Sequence, residues 1–283
     1  MAFLLSALVA HAESIPADPD RSKVPGERNK QGRIERPAET PELAPAALKL
    51  RAGEQLIYEI RVSGVPAGKA MLEVRKETPH GNEDGPLSWT VVLETRSNRA
   101  VSLFYDVRDT AKSVIDVKGG FSRFFYMDKR EGEVKTEEKI STNYEIGTME
   151  ALYERLRGDQ WRQHKLPLTT KVLDPLAAVY YMRSLDLKNL ESIVLPICAD
   201  RRVWNTRLVV KGRSLQSAAG FKDRECILIE PEAEFKGLFE RKGRMQIWID
   251  ILTGIPLKMN VEVPIGAAEV ILSQQKDSPL MYK

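Results

Sequence analysis

From Leu50 onward the chain alternates apolar and polar residues with a period of two, almost to its end. Gln55–Val62 sets Leu56, Tyr58, Ile60 and Val62 on one side, the pattern of a half-buried strand. Ser63-Gly64 supplies a turn, and Ala70–Val74 returns with Ala70, Leu72 and Val74 on one face. Trp89–Thr95, Tyr105–Val117 and Phe121–Lys129 continue the alternation, with Gly119-Gly120 as the break between the last two. Val134–Tyr144 alternates but is polar, which predicts a solvent-facing or edge strand. A second series begins at Ser192–Cys198. It continues through Val203–Lys211, Glu225–Glu230, Arg244–Asp250, Leu257–Val263 and Ala267–Ser273. Turn residues separate these segments at Asp200-Arg201, Gly212-Arg213, Ala219-Gly220, Gly243 and Thr253-Gly254.

Two stretches break the pattern. In residues 148–157, Met149, Leu152, Tyr153 and Leu156 have helical spacing and Gly158 could cap a helix, while a short strand also fits. The clear helix starts at Asp174-Pro175. Aspartate is a good N-cap, and proline is favoured at the first helical position. Leu176, Val179, Tyr180 and Arg183 share one side of this helix, which should end near Leu185. About a dozen strands with one firm helix predict a mainly β fold. The expected form is a large curled antiparallel sheet, or an open barrel or spiral, with one or two helices against its concave face. Leu176, Val179 and Tyr180 should point inward. Tyr181, about 100° away around the helix, should look toward a groove shared with Trp248. The aromatic residues Trp89, Phe104, Tyr105, Phe124, Phe125, Tyr126, Trp204 and Trp248 read as core or as the lining of such a slot.

Gly53–Pro66 and Gly243–Pro256 echo one another: Ile57 matches Ile247, Tyr58 matches Trp248, and Ser63-Gly64-Val65-Pro66 matches Thr253-Gly254-Ile255-Pro256. Both an ancient duplication and convergent turn chemistry produce such an echo.

Ahead of the β pattern, Phe3–Val9 form a short apolar run followed by Ala10-His11-Ala12. This reads as a signal peptide over residues 1–12, cleaved after Ala12, and hence as a periplasmic protein. No cysteine follows the run, so no lipoprotein anchor is expected. Nor does any stretch reach the roughly 20 apolar residues of a transmembrane helix. Residues 13–46 carry six prolines amid alternating charges and read as a disordered linker. A single β-rich domain over 47–276 and a tail over 277–283 complete the expected organisation.

Charge and composition exclude more than they assign. Lys and Arg total 43 against 40 Asp and Glu, a net +3, too small for a nucleic-acid surface. With three His and two Cys among 283 residues, no metal centre, cofactor motif or nucleophile elbow can be assembled, and no catalytic residue is nominated. The acidic residues Asp106, Asp109, Asp116, Glu230, Glu232 and Glu234 read as solvated faces and turns. In an oxidising compartment, Cys198 and Cys226 read as a disulfide closing a loop of about 28 residues, which in the chain-entropy model contributes about 3–4 kcal/mol; the alternative is two buried free thiols.

Four groups of residues, in order, carry a resemblance. They are Gly53-Glu54-x-Leu56-x-Tyr58, then Val65-x-Ala67-Gly68, then Asp174-Pro175-Leu176-Ala177-Ala178-x-Tyr180-Tyr181-x-Arg183. Ile247-Trp248-Ile249-Asp250 with Ile255-Pro256-Leu257 comes last. The set resembles the bacterial DUF3108 family of exported proteins of unknown function and spans residues 50–273; residues 148–166 fit its pattern poorly. The resemblance implies a β-rich envelope protein, similar in kind to those with half-barrel or spiral sheets, and supplies no catalytic residues. The functions it leaves open are binding of a lipid, glycan or envelope-protein partner, hydrolysis of envelope polymers, and a purely structural scaffold.

Overall fold

The computed structural model describes residues 40–45, 48, 50–76, 88–145, 147–157, 159–232, 245–263 and 266–276. Fourteen strands form one antiparallel sheet. The first series is β1 (Gln55–Val62), β2 (Val65–Lys76), β3 (Ser88–Ser97), β4 (Arg108–Asp116), β5 (Ser122–Glu131), β6 (Val134–Glu145), β7 (Thr148–Arg157) and β8 (Gln160–Pro167). The second is β9 (Ser192–Ala199), β10 (Arg202–Ala218), β11 (Phe221–Glu232), β12 (Met245–Asp250), β13 (Pro256–Val263) and β14 (Gly266–Lys276). A short helix α1 (Arg99–Ser102) joins β3 to β4, and α2 (Pro175–Met182) lies between β8 and β9.

Each strand pairs with its neighbour in sequence, and β1 pairs with β14, so β8 and β9 are the two free edges. Inward positions alternate as expected: Tyr58, Ala70, Leu72, Leu93, Ala111, Ile115, Leu257 and Val270 are all 1% exposed or less.

The sheet is curled, and one peptide stretch shows by how much. β5 and β9 are ten steps apart in the sheet order, about 48 Å if the sheet were flat. Yet the Val172 carbonyl accepts from Ser122 N at the start of β5 (2.9 Å), and the Leu173 carbonyl accepts from Cys198 N on β9 (2.8 Å). Residues 172–173 thus bridge strands that a flat sheet would hold far apart. The sheet wraps round this segment without β8 and β9 pairing.

Several expectations change. Residues 148–157 form β7, because Ala151 and Tyr153 are the buried positions of a two-residue period; the helical spacing of the apolar residues was coincidental. β6 is interior, between β5 and β7. Its polarity is tolerated because the inward Glu138 meets Arg155 of β7 (3.4 Å). The true edge on that side is β8, whose first six residues are exposed. Gly212 does not end a strand but sits at a bulge within the 17-residue β10. The two echoing segments are both strand–turn–strand, but their turns differ. Ser63 and Gly64 are both left-handed, as a two-residue hairpin requires. At the second turn only Gly254 is left-handed. Of the expected linker, residues 40–45 are described and lie on the domain: Leu43 is buried and donates its N–H to Thr170 Oγ1 (3.3 Å).

Candidate functional site

Helix α2 is set by its first residue. Asp174 Oδ1 accepts from the N–H groups of Leu176 (2.8 Å) and Ala177 (3.0 Å), so the N-cap read from the sequence is formed. Its other oxygen accepts from Ser113 on β4 (2.6 Å) and Ser122 on β5 (2.7 Å), which ties the helix start to the sheet. Burial pushes this carboxyl above its ordinary range, and the four hydrogen bonds counter it. Seven of the helix's eight residues are buried, and Val179 is the partly exposed one.

The helix ends at Arg183, whose charge is buried and paired. Nη1 and Nη2 donate to the two oxygens of Glu54 at 2.6 and 2.9 Å, and the two side chains are 4% and 1% exposed. Burial by itself would lower the Arg183 pKa; the Glu54 carboxylate more than reverses this and holds it above the ordinary value. The guanidinium also lies 4.9 Å from the Tyr180 ring centre. Tyr58, further along β1 from Glu54, donates to the Pro256 carbonyl (3.1 Å).

The opposite wall of this junction is the β12–β13 turn. Asp250 is buried and accepts from Arg224 Nη2 (2.8 Å), Thr253 N (3.2 Å) and the Thr253 hydroxyl. Burial pushes the Asp250 carboxyl up, but these donors outweigh it and leave it below its usual range. The turn brings Gly254 against Arg183. A Cβ there would lie 2.8 Å from Arg183 Cα, and its φ of +69° is left-handed. Only glycine satisfies both conditions.

Glu54, Tyr58, Tyr180, Arg183, Asp250, Gly254 and Pro256 therefore converge, from segments far apart in sequence. A family model described as "Protein of unknown function (DUF3108)" matches residues 57–273. The chain belongs to the DUF3108 family. Among the family-like residues of this DUF3108 chain, Glu54, Asp174 and Arg183 tie its interior helix to the sheet. A crystal structure titled as a beta-barrel-like protein of domain of unknown function DUF1849, from Brucella abortus, has a similar fold. Its TM-score is 0.55 at 12% identity, covering 81% of this chain and 99% of that one. No curated protein matches the DUF3108 chain.

The two residues expected to share a groove are not brought to one. Tyr181 is 2% exposed, and its hydroxyl donates to the Ala44 carbonyl (2.9 Å), so residues 43–44 close over it. Trp248 stands with Gln246 on the face of β12 opposite the buried Ile249, its ring 5.5 Å from the Lys258 ammonium. The expected disulfide is not formed either: Cys198 and Cys226 are free, buried thiols. Cys198 lies opposite Val203 and Cys226 opposite Ser214, on the two flanks of β10 and separated by about 35 Å of strand contour. Burial, with Asp174 near one and Asp250 near the other, pushes both thiols up to about 12. His164 is exposed on β8, and His80, Gly243, Arg244 and Glu234 lie outside the described residues.

Two clusters escaped the sequence reading. Asp109, 1% exposed, accepts from Arg130 N (2.9 Å) beside the Lys129–Glu131 ion pair (3.0 Å). Its inward position on β4 was the available signal. The second is the tip at residues 103–105. Phe104 and Tyr105, counted above among core aromatics, are 91% and 45% exposed, because the β4 strand begins only at Arg108.

Proposed function

We propose that this DUF3108 chain is an exported, non-enzymatic binding protein of the cell envelope that meets its partner with the outer surface and rims of its curled sheet. The observation that carries the reading is the burial of α2 on nearly all sides. A helix packed all round fills the concave face at its own level, so recognition falls to the outside. The buried charged groups at the junction are engaged in bidentate or multiply hydrogen-bonded pairs, an arrangement suited to holding a structure together rather than to proton transfer. Export rests on the apolar run at residues 3–9 and the Ala10-His11-Ala12 triplet that follows it. No helix among the described residues is long and apolar enough to cross a membrane.

Of the partner classes open to such a protein, an apolar one is favoured by the exposure of Leu103 (78%) and Phe104 (91%). A purely structural scaffold shares the filled interior but has no use for these exposed groups. The reading is tested by expressing the full chain, fractionating the cells, sequencing the N-terminus and examining the recovered protein by native mass spectrometry. A periplasmic chain beginning at Glu13, with lipid or other apolar material co-purifying, is expected. Cytoplasmic protein with residue 1 intact, or turnover of envelope polymers by the purified chain, contradicts it.

A further inference from the structure

In an antiparallel meander successive connections alternate between the two ends of the sheet. The Glu54–Arg183 junction and the 251–255 turn lie at one end; the β1–β2, β3–β4 and β5–β6 connections lie at the other. That second end carries Leu103, Phe104 and Tyr105, with Val65 (64% exposed) and Val134 (45%) at the starts of β2 and β6.

The tip is fixed at both sides. Asn98 Oδ1 accepts from Val101 N (2.9 Å), its Nδ2 donates to the Pro66 carbonyl (2.6 Å), and its N–H donates to the Ala67 carbonyl (2.8 Å). The Ser97 and Ser102 hydroxyls are hydrogen-bonded to each other (2.7 Å). On the far side the Tyr105 hydroxyl donates to Glu131 (3.4 Å), and its ring packs so close that a Cβ at Gly132 would meet it at 3.2 Å. Leu103 and Phe104 stand between these anchorages. Such an ordered tip, holding its largest apolar groups in water, is organised for a partner that removes them from water.

A cationic row lies just behind the tip. Lys69 on β2, Arg96 on β3 and Arg108 on β4 are direct cross-strand partners, and all three face outward. Like charges placed opposite one another repel. Arg96 and Arg108 pair with Glu94 (3.6 Å) and Asp106 (2.9 Å) of their own strand segments. At 73% and 68% side-chain exposure these are weak surface pairs that another anion can replace. Arg99 adds an exposed charge on α1.

We infer that this rim docks on an anionic lipid surface. Leu103 and Phe104 enter the acyl boundary, Tyr105 sits at headgroup level, and the Lys69–Arg96–Arg108 row faces lipid phosphates. The inference rests on the partner-binding reading above and names the partner.

The test is co-sedimentation of the full chain, as recovered from expressing cells, with two kinds of vesicle: phosphatidylcholine alone, and phosphatidylcholine with one third phosphatidylglycerol. Binding to the mixed vesicles only, weakening as salt rises, is expected. Phe104→Ser should lower the partition coefficient at least about tenfold. Arg96→Gln and Arg108→Gln should lower it about fivefold each. Leu252→Ser, at a leucine 67% exposed on the opposite end, should leave it unchanged; circular dichroism checks that each variant is folded. The inference is overturned if wild type binds neither vesicle, if neutral vesicles bind equally well, or if Phe104→Ser binds like wild type. It is equally overturned if the chain self-associates without binding vesicles and Phe104→Ser merely dissolves the oligomer, since a second copy would then be the occupant. None of these outcomes bears on compartment or on catalysis, which the fractionation and turnover experiments decide separately.

Discussion

Glu54 and Arg183 lie 129 residues apart in the chain and meet as a bidentate ion pair that solvent barely reaches. The pair fixes the end of the interior helix to the start of β1. Removing one partner leaves an uncompensated buried charge, so Arg183→Met alone should destabilise the domain by about 3–5 kcal/mol. Replacing both, in Glu54→Leu with Arg183→Met, should cost clearly less than Arg183→Met alone, because neither charge is then buried unpaired. Urea unfolding of the two variants checks the order; a double variant no more stable than the single one would show that the pair's worth is not electrostatic.

Gly254 should not tolerate a side chain. Its backbone is left-handed and its missing Cβ makes room for Arg183. Gly254→Ala is expected to destabilise by about 1–3 kcal/mol, read as a lowered melting temperature. Gly64, also left-handed, has nothing within 4 Å of such a Cβ, so Gly64→Ala should cost less.

The strands were legible because burial on one face imposes a period of two, and the helix start because Asp-Pro supplies both a cap and a pre-set φ. Two things were hidden for physical reasons. Pairing across the curled sheet, as between Glu54 and Arg183, leaves no trace in local pattern. The inward polar residues of β6 look like a solvated edge until Arg155 of the next strand is placed against Glu138. Phe104 misled in the opposite sense: a large aromatic beside a strand reads as core or slot lining, but the chain there is a turn held by Asn98 that leaves the ring in water.

Asp109 should give the domain a pH dependence of definite sign. Burial, helped by the nearby Glu131 carboxylate, pushes the Asp109 carboxyl up to about 7, although the Arg130 N–H draws it down. An unfolded aspartate titrates near about 4. Between those values the folded chain holds a proton that the unfolded chain has lost, so this residue's contribution to stability falls as pH rises from about 4 to about 7. Asp109→Asn keeps the acceptor for Arg130 and should flatten that slope. Asp174 is raised too and adds to the wild-type slope, so the readout is the difference between variant and wild type in unfolding midpoint at the two ends of the window. An identical slope in both would show that Asp109 does not titrate there.

The cysteines should behave as inert core groups. Native protein is expected to react with no thiol reagent on the timescale of mixing, because both thiols are buried and pushed to about 12. Denatured, unreduced protein should then titrate two free thiols. Finding none would restore the disulfide.

The central claim is that α2 is the plug round which the sheet curls, rather than an ornament on its edge. Leu176 is fully buried on that helix. The direct measurement is urea unfolding of Leu176→Ala beside wild type, followed by tryptophan fluorescence and circular dichroism. A plug at the centre predicts one cooperative transition in both probes, at a midpoint lowered by the equivalent of about 2–5 kcal/mol. An unchanged midpoint, or a helix that melts separately while the strands keep their stability, would contradict the account.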